Sequence, residues 1–276
     1  MSRPKTERRW TLVGLLLLPL QWLALQTMLV GLGAGSLLWN AVALVLYPLL
    51  SRERGRRIGR AGIAHGYQLF WWAARLAGMM RLHSEALKVL RDEPGLIIVA
   101  NHPSMLDAVM LVGRLPRAAC IMKASLMRNP FLAPGARLAR YIRNDSPRGL
   151  VRLAVQDLKD GGQLVMFPEG TRTTQAPLNP LHAGFTTIAK LAQAPIQTVF
   201  IDTTSPYLCK GWPLWRLPPL PIVFSVRLGR RFPPSEHPAQ QLAEIHRYFA
   251  EGLSGPAGAT APAPALPTAA STEPRA

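Results

Sequence analysis

The 276-residue sequence contains only two cysteines, Cys120 and Cys209. Two thiols are too few for a disulfide framework, and neither stands in a spacing typical of metal ligands. The sequence therefore gives no reason to expect a disulfide-stapled fold, a bound metal or a metal cofactor.

Acidic residues are also scarce, with 15 Asp and Glu against 32 Lys and Arg, a formal net charge of +17. Such a balance is compatible with nucleic acid, with an anionic membrane surface and with acidic protein partners. The charge clusters around an apolar amino-terminal segment, and no nucleic-acid-binding module or aromatic stacking platform is recognisable. We therefore expect a membrane with anionic lipids as the partner, and no nucleic acid.

Charge of either sign is missing from residues 10–50, a run of 41 residues. A bilayer-spanning helix needs about 20 apolar residues, so the run is about twice that length. Small residues at 31–36 divide it, and arginines lie on both sides of it. Basic flanks on both sides predict that both ends stay cytoplasmic. The sequence thus predicts an amino-terminal two-helix membrane hairpin, roughly residues 11–30 and 32–50, either spanning or re-entrant.

Two alternatives to the hairpin stay open, namely one long tilted span and a cleaved signal peptide. The apolar run exceeds a signal-peptide length, and the arginines after it would resist export. We expect a membrane anchor with basic flanks over residues 1–60, in a bacterial-type inner membrane with the remaining chain on the cytoplasmic face. Residues 61–92 are expected to be helical, either on the membrane surface or against the core.

From residue 95 onward, short β-like runs alternate with helical stretches. The predicted strands are 96–100, 118–122, 139–142, 163–167, 196–201 and 222–227, and the predicted helices are 104–113, 147–159, 183–192 and 238–253. This alternation predicts an α/β domain over residues 61–253, with a largely parallel sheet flanked by helices. The Ala- and Pro-rich residues 254–276 are expected to be a disordered tail.

Chemistry-bearing residues follow two of the predicted strands. Residues 101–107 read Asn-His-Pro-Ser-Met-Leu-Asp, and residues 167–173 read Phe-Pro-Glu-Gly-Thr-Arg-Thr. In an α/β sheet, functional groups sit in the loops after the carboxyl ends of strands. Both segments are therefore expected at the active edge of the sheet.

His102 and Asp107 are expected to form a proton-handling pair. Residues five apart do not share a helix face, but Pro103 suits the first helical position and pushes His102 into extended backbone. The ring then folds over the first turn, where Asp107 can hold one nitrogen and leave the other to accept a proton. Taken alone, the spacing is weak evidence, because an ordinary loop histidine near a helix start is the more common explanation.

The second segment has the composition of an anion-binding turn. Gly170 permits a close approach of ligand and backbone, and Thr171 offers a hydroxyl. Arg172 presents a fixed fork that matches phosphate or carboxylate oxygens. Glu169 can receive a hydroxyl or orient the arginine.

Together, the two segments resemble the glycerolipid acyltransferase family, which includes the lysophosphatidic acid acyltransferases. The resemblance covers roughly residues 90–205. It implies transfer of an acyl chain from acyl-CoA or acyl-carrier protein to a lysophospholipid such as 1-acylglycerol-3-phosphate, with no cofactor besides the co-substrate. It also implies roles for single residues: His102 as general base, Asp107 as its orienting partner, and Glu169, Gly170, Thr171 and Arg172 as the acceptor-binding group.

The family's second motif, Gly-x-x-Phe-Ile-x-Arg, is altered at residues 138–144, where leucine replaces the glycine and Asn144 the arginine. Arg143 is adjacent, but successive strand residues point to opposite faces, and Arg148 follows in the next loop. The fourth motif also lacks its second proline, with Thr198 in its place. Lys123 is a further candidate for contact with a phosphate or the acyl donor, although a solvated strand-end lysine is the more common explanation for such a residue.

Because the second motif helps to bind glycerol phosphate, its alteration leaves the acceptor open. The alternatives are the same chemistry on an ornithine-type lipid, a hydroxy-acyl chain or a pigment-like acid, and a catalytically silent lipid-binding relative. The proline- and aromatic-rich residues 206–215 are expected to line an acyl groove, enter the interface or pack over the sheet.

Overall fold

The computed structural model describes residues 12–123, 127, 129 and 132–254. The expected tail beyond residue 254 lies outside the described residues. The helices are α1 (Leu12–Leu49), α2 (Arg52–Leu76), α3 (Leu106–Arg114), α4 (Ala133–Leu138), α5 (Pro147–Lys159), α6 (Gly184–Ala192) and α7 (Pro238–Ser254), with a 3₁₀ helix at Glu85–Leu90. The strands are β1 (Met80–His83), β2 (Leu96–Ala100), β3 (Ala118–Lys123), β4 (Ile142–Asn144), β5 (Gln163–Met166), β6 (Ile196–Thr203) and β7 (Ile222–Phe232).

These strands form one seven-stranded sheet in the order β1-β7-β6-β2-β5-β3-β4. Neighbouring strands run parallel except for β6 and β7, which pair antiparallel. The predicted α/β class with a largely parallel sheet is therefore confirmed. All five residues of β2 are buried, because helices cover the sheet on both faces, as is usual for parallel strands.

Apolar clusters on the two faces of the sheet hold the fold together. Ile98 and Ala100 face one cluster, which also contains Trp71 of α2 and Met110 of α3. The alternate residues Ile97 and Val99 face the other, which is built mainly from α5, α6 and α7. Alternate residues of β2 thus pack into opposite clusters, so the strand lies between two packed layers as far as its carboxyl end.

The predicted two-helix hairpin within residues 11–50 is wrong. A single 38-residue helix, α1, runs through the small residues at 31–36 and ends at Leu49. Each glycine costs a helix only about 1 kcal/mol, and an apolar run gains by keeping all its backbone hydrogen bonds. The chain turns instead at residues 50–51, where the charge begins, and α2 crosses the expected anchor boundary at residue 60.

Three local predictions also need correction. The strand expected at 139–142 lies later, at Ile142–Asn144, because the short helix α4 and a left-handed residue, Arg140 (φ 56°), precede it. Residues 61–92 are helical only as far as Leu76, and then form β1 and the 3₁₀ helix. β1 joins the sheet edge beside β7. The short polar-apolar sequence of β1 does not predict this long-range pairing.

Candidate active site

The two chemistry-bearing segments follow adjacent strands. β2 pairs in parallel with β5, with Val99 opposite Met166. Because parallel strands end at the same edge, residues 101–107 and 167–173 leave the sheet side by side. The backbone N–H of Thr173 also donates to the carbonyl oxygen of His102 at 2.8 Å.

His102 and Asp107 form the predicted pair, with Nδ1 of the ring 2.9 Å from Oδ2 of the carboxylate. The local route differs from the predicted one, because α3 begins only at Leu106 and Pro103 precedes the helix. Ser104 makes the turn: its N–H donates to Oδ2 of Asp107 at 2.7 Å. The ring is thereby held over the first turn of α3.

The side chains of His102 and Asp107 differ in how far they are buried. The Asp107 side chain is fully buried, whereas 18% of the His102 side chain is exposed. Burial raises the pKa of the Asp107 carboxyl, while the hydrogen bonds from His102 and Ser104 pull that pKa down. Among the described residues, Nε2 of His102 has no hydrogen-bond partner, so the exposed side of the ring carries the free nitrogen.

The ring of His102 is also fixed from the side. Phe167, the residue after β5, stacks on it with 4.1 Å between ring centroids and 21° between planes. The aspartate and the phenylalanine together restrict both the tilt and the rotation of the imidazole. A side chain that is held in one orientation loses little entropy when a ligand approaches.

Glu169 links the two segments. It is 3% exposed, and Oε1 accepts from the N–H of His102 and from Oγ1 of Thr173, both at 2.9 Å. Oε2 accepts from the N–H of Asn179 at 3.0 Å. Both carboxylate oxygens of Glu169 thus accept hydrogen bonds from the protein. The side chain therefore connects the two segments and does not face an open site.

Asn179 is a site residue that the sequence did not indicate. Its Oδ1 accepts from the N–H groups of Thr174 and Gln175 at 3.0 Å, and its Nδ2 donates to the carbonyl oxygen of Arg172. One amide therefore holds the turn that follows Gly170. No periodicity connects a loop asparagine to a glutamate ten residues earlier, so only the folded chain shows it.

All three residues of the turn at 170–172 are exposed or half-exposed. Gly170 is exposed with φ 67°, and a Cβ there would lie 3.0 Å from the His182 ring. Thr171 is half-exposed. Nη1 of Arg172 donates to the carbonyl oxygens of Leu208 and Cys209, both at 2.9 Å, and no carboxylate among the described residues lies within 4 Å of this guanidinium.

The loop that Arg172 holds also contacts the turn between β2 and α3. Oγ of Ser104 donates to the carbonyl oxygen of Tyr207 at 2.9 Å, and the N–H of Met105 donates to that of Leu208. Residues 207–209 therefore close one side of the site.

Two predicted residues, Arg143 and Arg148, are not brought to this pair. Arg143 lies on the edge strand β4, 56% exposed, with Nη2 3.2 Å from Oδ2 of Asp145. Arg148 is exposed on the first turn of α5. Lys123 is the last residue of β3, and its side chain lies outside the described part of the chain. Any contact of these residues, or of residues 169–172, with a substrate stays a prediction.

Fold and site together define a class: an α/β domain with an oriented histidine at the carboxyl edge of a parallel sheet, joined to a long apolar helix. The family model described as Acyltransferase matches residues 81–202. A 1-acyl-sn-glycerol-3-phosphate acyltransferase of Pseudomonas aeruginosa is 24% identical over 188 residues, 66% of this chain and 71% of that protein. One of Limnanthes douglasii is 30% identical over 135 residues, 46% of this chain and 47% of that protein.

A solved structure agrees in fold. The 1-acyl-sn-glycerophosphate (LPA) acyltransferase PlsC from Thermotoga maritima superimposes with a TM-score of 0.61 at 19% identity, covering 85% of this chain and 94% of that one. Residues 81–202 thus match an acyltransferase domain, and this match together with the names of the relatives supports an acyltransferase enzyme.

Proposed function

We propose that this acyltransferase moves an acyl chain from acyl-CoA or acyl-carrier protein to the free hydroxyl of 1-acylglycerol-3-phosphate. The observation that carries the proposal is the contact between Nδ1 of His102 and Oδ2 of Asp107 at 2.9 Å, with Nε2 on the exposed side. The names of the relatives from Pseudomonas aeruginosa and Limnanthes douglasii support this acceptor.

In the proposed reaction, Nε2 of His102 takes the proton from the acceptor hydroxyl as its oxygen attacks the thioester carbonyl. The new C–O bond forms, the C–S bond breaks, and the thiolate leaves with the proton returned by the imidazolium. Asp107 stabilises that imidazolium and fixes the tautomer. General base catalysis of this kind contributes about 10²–10⁴-fold, and alignment of two amphiphiles at one surface contributes much of the rest.

Among the described residues, Arg172 is the cationic side chain best placed to bind an acceptor phosphate. Nη1 is occupied by two carbonyl oxygens, which fixes the guanidinium in one position. A planar guanidinium has five N–H donors, so others stay available for phosphate oxygens. Gly170 and Thr171 lie beside it with their exposed backbone and hydroxyl.

Contacts along α1 support a placement on the membrane surface. Nε1 of Trp22 donates to the carbonyl oxygen of Trp215 at 2.8 Å, and Oδ1 of Asn40 accepts from the N–H of Gly135 at 2.7 Å. Arg140 lies over the ring of Tyr47. From Trp22 to Tyr47 the helix is about 37 Å long, more than the roughly 30 Å of a bilayer core. A helix that contacts the domain over that length stays packed against the domain and does not cross the bilayer away from it.

The outward side of α1 is apolar. Among the described residues, one helical segment is apolar and long enough to cross a membrane, Leu17–Leu49 of α1, and only 11% of its apolar stretch is buried. Exposed leucines and valines along it include Leu20, Val30, Leu38 and Leu49. We propose that α1 lies in the headgroup region with this side in the acyl layer. The positive flanks favour the cytoplasmic face of an inner membrane.

A direct test uses purified full-length protein in detergent with a labelled acyl-CoA and lysophosphatidate. Transfer of the label into phosphatidate supports the proposed acceptor and donor. The same reaction is run with acyl-carrier protein as donor, which separates the two donor classes. Absence of transfer to lysophosphatidate with both donors would contradict the proposed acceptor.

A second candidate keeps the chemistry and changes the acceptor. It is favoured by β4, where Asn144 replaces the motif arginine and Arg143 is paired with Asp145 at the exposed sheet edge. An ornithine-type lipid, a hydroxy-acyl chain or a pigment-like acid would need no phosphate contact there. A panel of these alcohols in the same assay distinguishes the candidates by which product acquires the label.

A further inference from the structure

A basic cleft of about 1030 Å³ lies away from the His102 site, where α1 ends and α2 begins. Its lining comes from α1, α2, α4, β4 and α5, and shares no residue with the His102–Asp107 pair. Six arginines and three carboxylates line it. The cleft is therefore electropositive and is separate from the proposed catalytic centre.

The carboxylates of the cleft neutralise one part of it only. Nε of Arg56 lies 3.0 Å from Glu53, and its Nη1 lies 3.1 Å from Asp157. Asp157 is also bound by Arg60, at 2.6 Å. The positive charge of the remaining arginines is therefore not cancelled by these groups.

Four arginines remain without a carboxylate within 4 Å among the described residues: Arg52, Arg137, Arg140 and Arg152. Arg140 is held in place, since Nη1 donates to the Tyr47 hydroxyl at 3.3 Å and its carbon lies 5.1 Å from the centre of that ring. Its Nε is buried and has no partner among the described residues. Donors that are fixed and unpaired suit the oxygens of a phosphate.

The cleft is continuous with the apolar side of α1. Tyr47 lines it, while Leu44, Val45 and Leu49, within one turn of Tyr47, are 65%, 61% and 72% exposed. A tyrosine between apolar and basic surface is typical of the headgroup level of a membrane. A soluble anion would use only the arginines, whereas an amphiphile would use both surfaces.

We propose that this cleft is a second, non-catalytic site for an anionic phospholipid of the surrounding membrane. The phosphate lies among Arg52, Arg137, Arg140 and Arg152, and the acyl chains lie along the carboxyl end of α1. This inference rests on the proposed membrane placement of α1, but not on the identity of the acceptor. Such a lipid fixes one end of α1 at the surface and so orients the domain.

The test measures binding of dioctanoyl phosphatidylglycerol to full-length protein in uncharged detergent by native mass spectrometry. The variant is Arg52→Gln with Arg152→Gln, because both side chains are exposed and no bond to a described residue is lost. The matched control, Arg91→Gln with Arg247→Gln, removes the same charge from exposed positions elsewhere. Dioctanoyl phosphatidylcholine, inorganic phosphate, CoA and an acidic carrier protein are the comparison ligands.

Each arginine near an anionic lipid contributes about a fivefold factor in affinity, so the variant should bind phosphatidylglycerol about 30-fold more weakly than the wild type and the control. Acyl transfer in detergent should stay at the wild-type rate in both, which separates this site from the reaction. Equal phosphatidylglycerol binding in all three proteins overturns the proposal. So does an arginine dependence seen only with the carrier protein, or inorganic phosphate or CoA bound as tightly as the lipid.

Discussion

The backbone N–H of His102 donates to Oε1 of Glu169 at 2.9 Å. This bond joins the turn after β2 to the turn after β5, 67 residues later in the chain. The residue that carries the proposed base is thus positioned by the same carboxylate that holds the turn after β5. Base and turn are one unit, so a change in the carboxylate affects both.

We expect Glu169→Ala to lower both the stability of the protein and the rate of the reaction. The change leaves three donors without an acceptor: the N–H groups of His102 and Asn179, and Oγ1 of Thr173. Each unsatisfied buried donor costs about 1–3 kcal/mol, so the free energy of unfolding should fall by about 3 kcal/mol or more. Chemical denaturation measures this. A loss of activity with unchanged stability would instead indicate a direct contact of Glu169 with substrate.

Asp107→Asn should separate stability from activity. Burial raises the pKa of Asp107, so this group favours the folded state below its unfolded pKa of about 3.9. That contribution is lost as pH rises through the higher folded pKa. At pH 7 the neutral asparagine should therefore leave the protein at least as stable as the wild type.

The reaction of the same variant should slow by about 10²-fold or more. The atom that faces Nδ1 of His102 also accepts from the N–H of Ser104, so asparagine keeps its oxygen there, but it lacks the negative charge that stabilises the imidazolium. Denaturation and kcat measured on one preparation check both parts. A stable variant with wild-type kcat would contradict the role of Asp107.

Arg172→Lys should loosen the loop at residues 207–209. The wild-type guanidinium binds two carbonyl oxygens, of Leu208 and Cys209, and a lysine ammonium lacks the planar fork. We expect the N–H of Met105, which donates to the carbonyl oxygen of Leu208, to exchange about tenfold faster. Hydrogen-exchange mass spectrometry measures this, with peptides of α7 as the internal reference. Unchanged exchange at Met105 would show that the loop is held by other contacts.

Two glycines of α2 should respond in opposite directions to alanine. A Cβ at Gly59 would lie 2.4 Å from the backbone nitrogen of Ala139, whereas nothing lies within 4 Å of one at Gly66. Gly59→Ala should therefore lower the free energy of unfolding by about 1–3 kcal/mol. Gly66→Ala should raise it by up to about 1 kcal/mol, because alanine favours helix. Similar effects of the two changes would contradict the close docking of α2 on α4.

The site was predictable where a short-range pattern determines it. The apolar runs at 96–100 and 163–167, each followed by polar residues, locate β2, β5 and the His102–Asp107 pair. Long-range contacts were not predictable. Asn179 has no spacing that ties it to Glu169, and β1 pairs with β7, more than a hundred residues later. The hairpin prediction failed because glycines between 31 and 36 signal a turn locally, while the apolar run keeps the helix whole.

The most direct test of the account compares His102→Ala with His246→Ala, a histidine removed from α7 at a distance from the site. Labelled acyl transfer to the acceptor identified for the wild type is measured in full-length protein, with thermal unfolding followed on the same samples. We expect that both variants fold as the wild type does, that His246→Ala keeps its rate, and that transfer by His102→Ala falls by about 10²–10⁴-fold. Transfer by a folded His102→Ala protein at the wild-type rate would contradict His102 as the general base.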